Sequence, residues 1–332
     1  MDLAVCLIGR NEGARLAALS QSLQPLREQG LNIYTVFVDS ASTDGSLEIA
    51  QERFDLVVSL PPHDRLCAAA GRYWGTCQAA APWILYLDGD MTLHPDFAAP
   101  IAETIRAGAW GSEAGLVGRC LHVDRNGNVY RETPRIRLRE GPAPNFGGAV
   151  LLRTSAVIAS GNWDPALFSF EELDLYARLK ARGFRVRYLG VPMALHYAPC
   201  KSRLRKFRDN LIPAGSGLGR KFYGFGQLLA AHVRRGTLPG LVRAFPYPFV
   251  WWLALLLFIS CLAAGAAVVG MLALAAGAVF VTVTRGAHSM VVYSLLLIQA
   301  ALGLGRYRPA ETPSPVAIWK RPGAPTTDAT VA

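Results

Sequence analysis

The chain has 332 residues, of which 52% are apolar and 17% charged. That is longer than one ordinary domain and too apolar for a purely soluble protein, and it excludes disorder and a small disulfide-stapled scaffold. The net charge of +10 is local: residues 1–200 carry 19 Lys plus Arg against 21 Asp plus Glu, whereas residues 201–243 carry ten basic groups against Asp209 alone. The basic balance therefore reports one patch, and nucleic acid is not an expected partner.

At the N-terminus, Asp2 and a strand-like run at 3–8 leave no basic segment followed by a long apolar one. No cleaved signal peptide is expected, and the chain is expected to start in the cytosol. Short β-rich runs at 4–8, 33–38, 56–60 and 83–87 alternate with helix-compatible stretches at 14–29, 46–53 and 65–80. Strand, helix, strand, repeated, predicts an α/β domain with a parallel sheet, whose ligands lie at the carboxyl ends of its strands. Asn126-Gly127 within 120–130 predicts a hairpin turn. Cys6, Cys67, Cys77, Cys120, Cys200 and Cys261 are scattered, without a C-x-x-C pair or a metal-ligand spacing, and read as reduced thiols.

Three features of residues 1–200 carry chemistry. Asp39 ends the second strand and opens a polar loop, Ser40 to Ser46, that runs into a helix. The fourth strand runs into Asp88-Gly89-Asp90, two carboxylates at a sheet edge that suit a hard divalent cation touching a phosphate, although Asp-Gly-Asp also makes an ordinary turn. Glu171, Glu172 and Asp174 crowd the first turn of a helix expected at 173–182, with Gly147-Gly148 upstream and a lone His196 downstream. The helix dipole favours acidic groups there, yet three carboxylates in four positions repel one another and invite a functional use.

Beyond residue 200 the chain changes character. Residues 201–245 interleave Arg and Lys with Leu204, Phe207, Leu211, Phe222, Tyr223 and Phe225, the pattern of amphipathic helices on an anionic membrane surface. Residues 244–284 contain no Asp, Glu, Lys or Arg over 41 positions, about twice what one bilayer crossing needs. Two spans fit there, with the turn at Gly265 or Gly270, and a further apolar stretch at 287–305 offers a third. Basic residues on both flanks favour an even number of crossings, and three apolar blocks an odd one. The expected layout is thus a catalytic domain at 1–200 on the cytoplasmic face, a juxtamembrane region at 201–245, two or three transmembrane segments at 246–305 and a disordered tail at 306–332.

These residues resemble the inverting family 2 glycosyltransferases of GT-A fold, through most of residues 3–198. Ile8-Gly9-Arg10-Asn11-Glu12 resembles the family's nucleotide-contacting first loop, and Val38 to Ser46 its second motif, so Arg10, Glu12 and Asp39 are implied at the nucleotide. Asp88-Gly89-Asp90 matches the metal-binding D-x-D, Gly147 and Gly148 the segment before the acceptor, Glu171-Glu172 the acidic pair whose second member is the general base, and His196 a further metal ligand. Gly71-Arg72-Tyr73-Trp74-Gly75 keeps Arg72, implied as a phosphate contact, but has Tyr73 where the family commonly has Asn. The Q-x-x-R-W signature of processive synthases is absent from 201–245. Tyr223 to Gln227 resembles a juxtamembrane stretch of bacterial enzymes that build exopolysaccharide on a lipid carrier.

The resemblance implies Mg²⁺ or Mn²⁺, a nucleoside-diphosphate sugar donor, a lipid-linked or glycan acceptor, and polysaccharide assembly machinery as a partner, with one sugar added per event. Three alternatives stand beside it: a polyprenyl-phosphate sugar synthase, a catalytically silent nucleotide-binding component of an export complex, and a nucleotidyltransferase. The last lacks its Gly-rich basic loop, since only Gly9-Arg10 and Gly13 are present.

Overall fold

The computed structural model describes residues 1–62, 66–108, 111–124, 126–134, 139–197, 223–285, 288–309 and 314–324. The chain divides into one unit of residues 1–208 with 310–332, and a second of residues 209–309.

In the first unit the sheet is built around β1 (Leu3–Gly9), β2 (Ile33–Asp39), β3 (Leu56–Ser59) and β4 (Trp83–Asp88). All pairings among these four are parallel, in the order β3-β2-β1-β4. Nearly every side chain of β1 and β2 is buried, which is why these strands read as continuous apolar runs and not as alternating ones. The connecting helices are α1 (Gly13–Ser22), α2 (Gln24–Glu28), α3 (Ser46–Arg53) and α4 (Ala68–Cys77). The expected single helix at 14–29 breaks at Leu23, because Pro25 cannot donate within a continued helix and instead sits in the first turn of α2.

Beyond β4 the sheet becomes mixed. β5 (Met91–Leu93), α5 (Ala98–Ala107), β6 (Glu113–Val123), β7 (Val129–Thr133), β8 (Gly141–Pro142), β9 (Val150–Arg153), α6 (Thr154–Ala159), α7 (Glu171–Ala181) and β10 (Arg185–His196) follow in sequence. β9 inserts antiparallel between β4 and β6, and β10 runs parallel to β6 with β5 on its outer side. The expected hairpin joins β6 to β7, with Gly127 at φ +82° and Asp124 accepting from the backbone N–H groups of Asn126 and Asn128.

One element corrects the expectation of a disordered tail. β11 (Ala317–Lys320) pairs antiparallel with β3 and completes a sheet of eleven strands among the described residues. Pro, Thr and Ala dominate the tail's composition, but Ile318 and Trp319 form a β-prone run, and the open edge of β3 offers backbone donors and acceptors. Arg321 then pairs with the buried Asp55 just ahead of β3.

The second unit is helical: α8 (Gly224–Arg234), α9 (Leu238–Ala244), α10 (Tyr247–Ala263), α11 (Ala267–Arg285) and α12 (His288–Gly303). Two stretches are long and apolar enough to cross a membrane, Ala267–Arg285 and Ser289–Arg306, and α9 with α10 forms a pair bent by 100° that would count as a third. The turn between α10 and α11 falls at Gly265, φ +76°. Gly270 lies inside α11, where a Cβ would meet the Phe258 carbonyl at 3.1 Å; it is a packing position and not the turn. Of the expected basic amphipathic region, 201–222 lies outside the described residues. Phe225, expected on a membrane-facing stripe, is fully buried in α8 against Phe245, Phe249 and Trp252.

Candidate active site

The carboxyl ends of β1, β2 and β4 bring the first three motifs together. After β1, Asn11 takes φ 59° and its amide accepts from Thr43 N–H at 2.8 Å, while its own N–H donates to Ser42 Oγ at 2.9 Å. Glu12 N–H donates to Ser46 Oγ at 3.0 Å, and Asp44 takes the N–H of Gly13 at 3.2 Å. The loop after β1 and the loop after β2 are thus laced into one rim. Asp39 sits beneath this rim, 1% exposed. Its Oδ2 accepts from Ser42 N–H at 3.0 Å, and its Oδ1 is buried without a hydrogen-bond partner among the described residues. A buried carboxylate oxygen left open in this way is an acceptor in wait of a donor. Glu12 is half-buried, and burial, opposed by its hydrogen bond to Arg15, raises its pKa; Arg10 is exposed.

Asp88 and Asp90 part company. Asp88 Oδ1 accepts from the Arg72 guanidinium at 2.8 Å, whereas Asp90 Oδ2 lies 2.9 Å from His196 Nε2. The β5–β10 pairing, with His196 opposite Met91, delivers that histidine across 106 residues of sequence. Two ligand atoms about 2.9 Å apart are neighbours on an octahedral ion with bonds of about 2.1 Å, so this oxygen and nitrogen fit a divalent cation.

Arg72, from α4, is the centre of the site's electrostatics. Its Nη1 donates to Glu171 Oε1 at 2.9 Å and lies 3.5 Å from Glu172 Oε1, its Nη2 holds Asp88, and its guanidinium stacks 5.0 Å from the centroid of the Trp163 ring. At 1% exposure it answers three carboxylates from two motifs. Burial works against its charge, and Asp88, Glu172 and Glu171 together more than restore it. Both terminal nitrogens are therefore committed to carboxylates, an arrangement that the expectation of a phosphate contact did not foresee. Gly148 completes the contact: a Cβ there would collide with Asp88 Oδ2 and stand 3.0 Å from Arg72 Nη2, while at Gly147 it would meet nothing within 4 Å.

The acidic helix start separates into two functions. Phe170 adopts φ 64° ahead of α7 and Glu171 and Glu172 open that helix toward Arg72. Asp174, fully buried, pairs instead with Arg178 one turn on, so it belongs to the helix and not to the site. Burial first, and the neighbouring Glu171 second, push the Glu172 carboxyl up to about 7 against the pull of Arg72.

His122 lay outside the sequence reading, which took Cys120 only as a reduced thiol. His122 Nδ1 is 3.0 Å from His196 Nδ1, and Cys120 lies beside them. The Cys120-x-His122 spacing on a strand, which puts both on one face, is the signal that could have found them.

Comparison with known proteins bears on the family and the fold. Residues 5–163 match the family described as Glycosyl transferase family 2. The Succinoglycan biosynthesis protein ExoA of Rhizobium meliloti (strain 1021) is 25% identical over 252 residues, covering 71% of this chain and 72% of that protein. The crystal structure of S. aureus TarS 1-349 in complex with UDP-GlcNAc resembles the chain with a TM-score of 0.55 at 15% identity, covering 92% of this chain and 89% of that one. A longer S. aureus TarS crystal structure matches with a TM-score of 0.48 at 18% identity, over 71% of this chain and 43% of that one, so the chain spans less than half of that protein's length. The family match takes in β1, β2 and β4 with Asp39, Asp88 and Asp90 at their ends, so residues 5–163 carry a glycosyltransferase family 2 domain, in a sheet of GT-A fold.

Proposed function

We propose that the enzyme transfers a single sugar, with inversion, from a nucleoside-diphosphate donor to a lipid-linked or glycan acceptor at the cytoplasmic membrane face. The observation that carries this reading is the Asp88–Arg72–Glu171/Glu172 network, which ties the carboxylate of the diphosphate motif to the carboxylate of the acceptor motif through one buried cation. The open Oδ1 of Asp39 takes an N–H of the nucleotide base, and Arg10 and Glu12 stand on the loop that follows β1. Asp90 and His196, with Asp88 as the further carboxylate of the motif, would hold Mg²⁺ or Mn²⁺, and the ion would neutralise charge on the departing diphosphate.

Glu172 accepts the proton of the acceptor hydroxyl as its oxygen attacks the anomeric carbon from the face opposite the diphosphate. Its elevated proton affinity suits that task near neutrality, since a base works best when its pKa lies close to the working pH. Glu171, hydrogen-bonded to Arg72, borders the acceptor side with Gly147 and Gly148. The apolar helices of the second unit support membrane attachment, and with it an acceptor presented at the head-group plane. The named role of ExoA supports a place in polysaccharide biosynthesis, and the complex formed by TarS supports a nucleotide-sugar donor.

A thermal-shift panel of UDP, GDP, dTDP and ADP with and without Mn²⁺, on detergent-purified protein and its Asp90→Ala variant, tests this. One nucleotide should stabilise the protein in a metal-dependent way that the variant loses. Indifference to every nucleotide would overturn the donor assignment.

A further inference from the structure

Cys120 and His122 are two apart on β6 and so point to the same face of the sheet, and the parallel pairing with β10 sets His196 opposite His122. The Cys120 thiol and one nitrogen from each histidine lie within 4.8 Å of one another. The two Nδ1 atoms are 3.0 Å apart, near the roughly 3.3 Å that separates two nitrogens on a tetrahedral ion with Zn–N bonds of about 2.0–2.1 Å. Behind His196, Asp90 Oδ2 stands 2.9 Å from Nε2. A carboxylate at that distance accepts a hydrogen bond from Nε2–H and leaves the Nδ1 lone pair toward His122, the arrangement by which histidine ligands of zinc are oriented.

We infer that Cys120, His122 and His196 form a binding site for a borderline-soft divalent ion of the Zn²⁺ class. One sulfur and two imidazole nitrogens select such an ion over Mg²⁺, which takes oxygen. Binding releases the thiol proton to solvent, forms one metal–sulfur and two metal–nitrogen bonds, and involves no change of oxidation state. Two neighbours oppose or adjust to it: the Arg131 guanidinium stands 2.9 and 3.0 Å from the His122 nitrogens, and Thr133 Oγ1 is 2.9 Å from His122 Nε2. Arg131 must swing off His122 for the ion to enter, so it weakens the site and sets its threshold.

The site has a consequence for the transfer reaction, and this part rests on the proposed function. A neutral imidazole has one lone pair. When the Nδ1 of His196 holds the soft ion, its Nε2 carries the proton that bonds Asp90 and has no lone pair for Mg²⁺ or Mn²⁺. The two ions therefore exclude each other at His196, and a Zn²⁺-class ion acts as an inhibitor competitive with the hard one.

Cobalt(II) titrated into tag-free, metal-stripped, detergent-purified full chain tests the site without reference to activity. Tetrahedral visible bands and a thiolate-to-cobalt charge-transfer band should grow to one equivalent, be removed by Zn²⁺ and persist in excess Mg²⁺. Cys120→Ser should abolish the charge-transfer band, His122→Ala should weaken binding roughly tenfold or more, and Arg131→Gln should strengthen it. Should His122→Ala fail to fold, Cys120→Ser decides alone, since Ser replaces Cys almost atom for atom. No band in the wild-type chain, or a band unchanged in Cys120→Ser, overturns the proposal. If the bands behave as expected but Zn²⁺ does not compete with Mn²⁺ in nucleotide binding, the site stands and the shared-histidine argument falls with the assignment of His196 to the hard ion.

Discussion

Ile318 lies opposite Val58 in the antiparallel pairing of β11 on β3. A hydrogen-bonded strand pair occupies one aqueous compartment, because open sheet edges do not exist within the hydrocarbon of a bilayer. Residues 1–208 and 310–332 share one folded unit, so any crossing made by the intervening apolar helices would have to be matched by a crossing back. If the apolar helices cross a membrane, the expected number of crossings is therefore even, with two of the three apolar stretches spanning and the α9–α10 pair, bent by 100°, turning back. Reporters fused at Met1 and after Ala332 should report the same side of the membrane. Opposite sides would break the parity argument while leaving membrane insertion intact, and a fully soluble protein would break the insertion reading instead.

Arg72 is held by three carboxylates at 2.8, 2.9 and 3.5 Å. Arg72→Ala strands the buried Glu171 and leaves the half-buried Asp88 and Glu172 without their cation, and should cost about 3 kcal/mol in denaturant unfolding of the domain. Arg72→Lys keeps the charge but loses the planar fork that spans two motifs. In the lysine variant kcat should fall by about 10²-fold through misplacement of Glu172 and Asp88, with nucleotide affinity within about threefold of wild type. An equal loss in nucleotide affinity would return Arg72 to the diphosphate.

Glu172 titrates near 7, raised from 4.5 by burial first and Glu171 second. As a base it must be ionised, so kcat/KM should rise with pH through about 7 and level off above it. Glu172→Gln should remove that limb and lower turnover at least about 10²-fold while nucleotide binding survives. The same group makes a stability prediction of opposite sign. A carboxyl whose folded-state pKa is raised binds its proton more tightly in the native state, so its contribution is most favourable below pH 4.5 and is lost as pH climbs to about 7. Urea midpoints should decline over that window in wild type, and less so in Glu172→Gln.

The parallel half of the sheet was legible because burial on both faces writes itself as unbroken apolar runs at β1, β2 and β4. The mixed half was not: that β9 lies between β4 and β6, and that β11 returns to β3, are properties of pairing and leave no mark on local composition. The same division holds at the site. Asp39, Asp88, Asp90 and Glu172 announce themselves by standing at strand ends or a helix start. The commitment of Arg72 to Asp88 and Glu171, and the meeting of His122 with His196, depend on packing and cross-strand register between residues up to 99 apart. Asp174 shows the converse, an acidic neighbour in sequence that Arg178 claims for the helix.

Gly147 and Gly148 are adjacent in sequence but differ in what surrounds them. A methyl group at Gly148 would strike Asp88 Oδ2 and press on Arg72 Nη2, whereas at Gly147 it would enter open space. Gly148→Ala must therefore displace the carboxylate that Arg72 holds, and with it the joint between the diphosphate motif and Glu172. A shift of about 1 Å in a reacting group costs on the order of 10²-fold, and turnover should fall by that amount. Gly147→Ala should leave turnover within about threefold, because no atom has to move. The pair is a control within itself, since both variants add one methyl group to the same loop. If Gly148→Ala and Gly147→Ala lose activity alike, flexibility of the segment, and not its contact with Asp88, is what the two glycines supply.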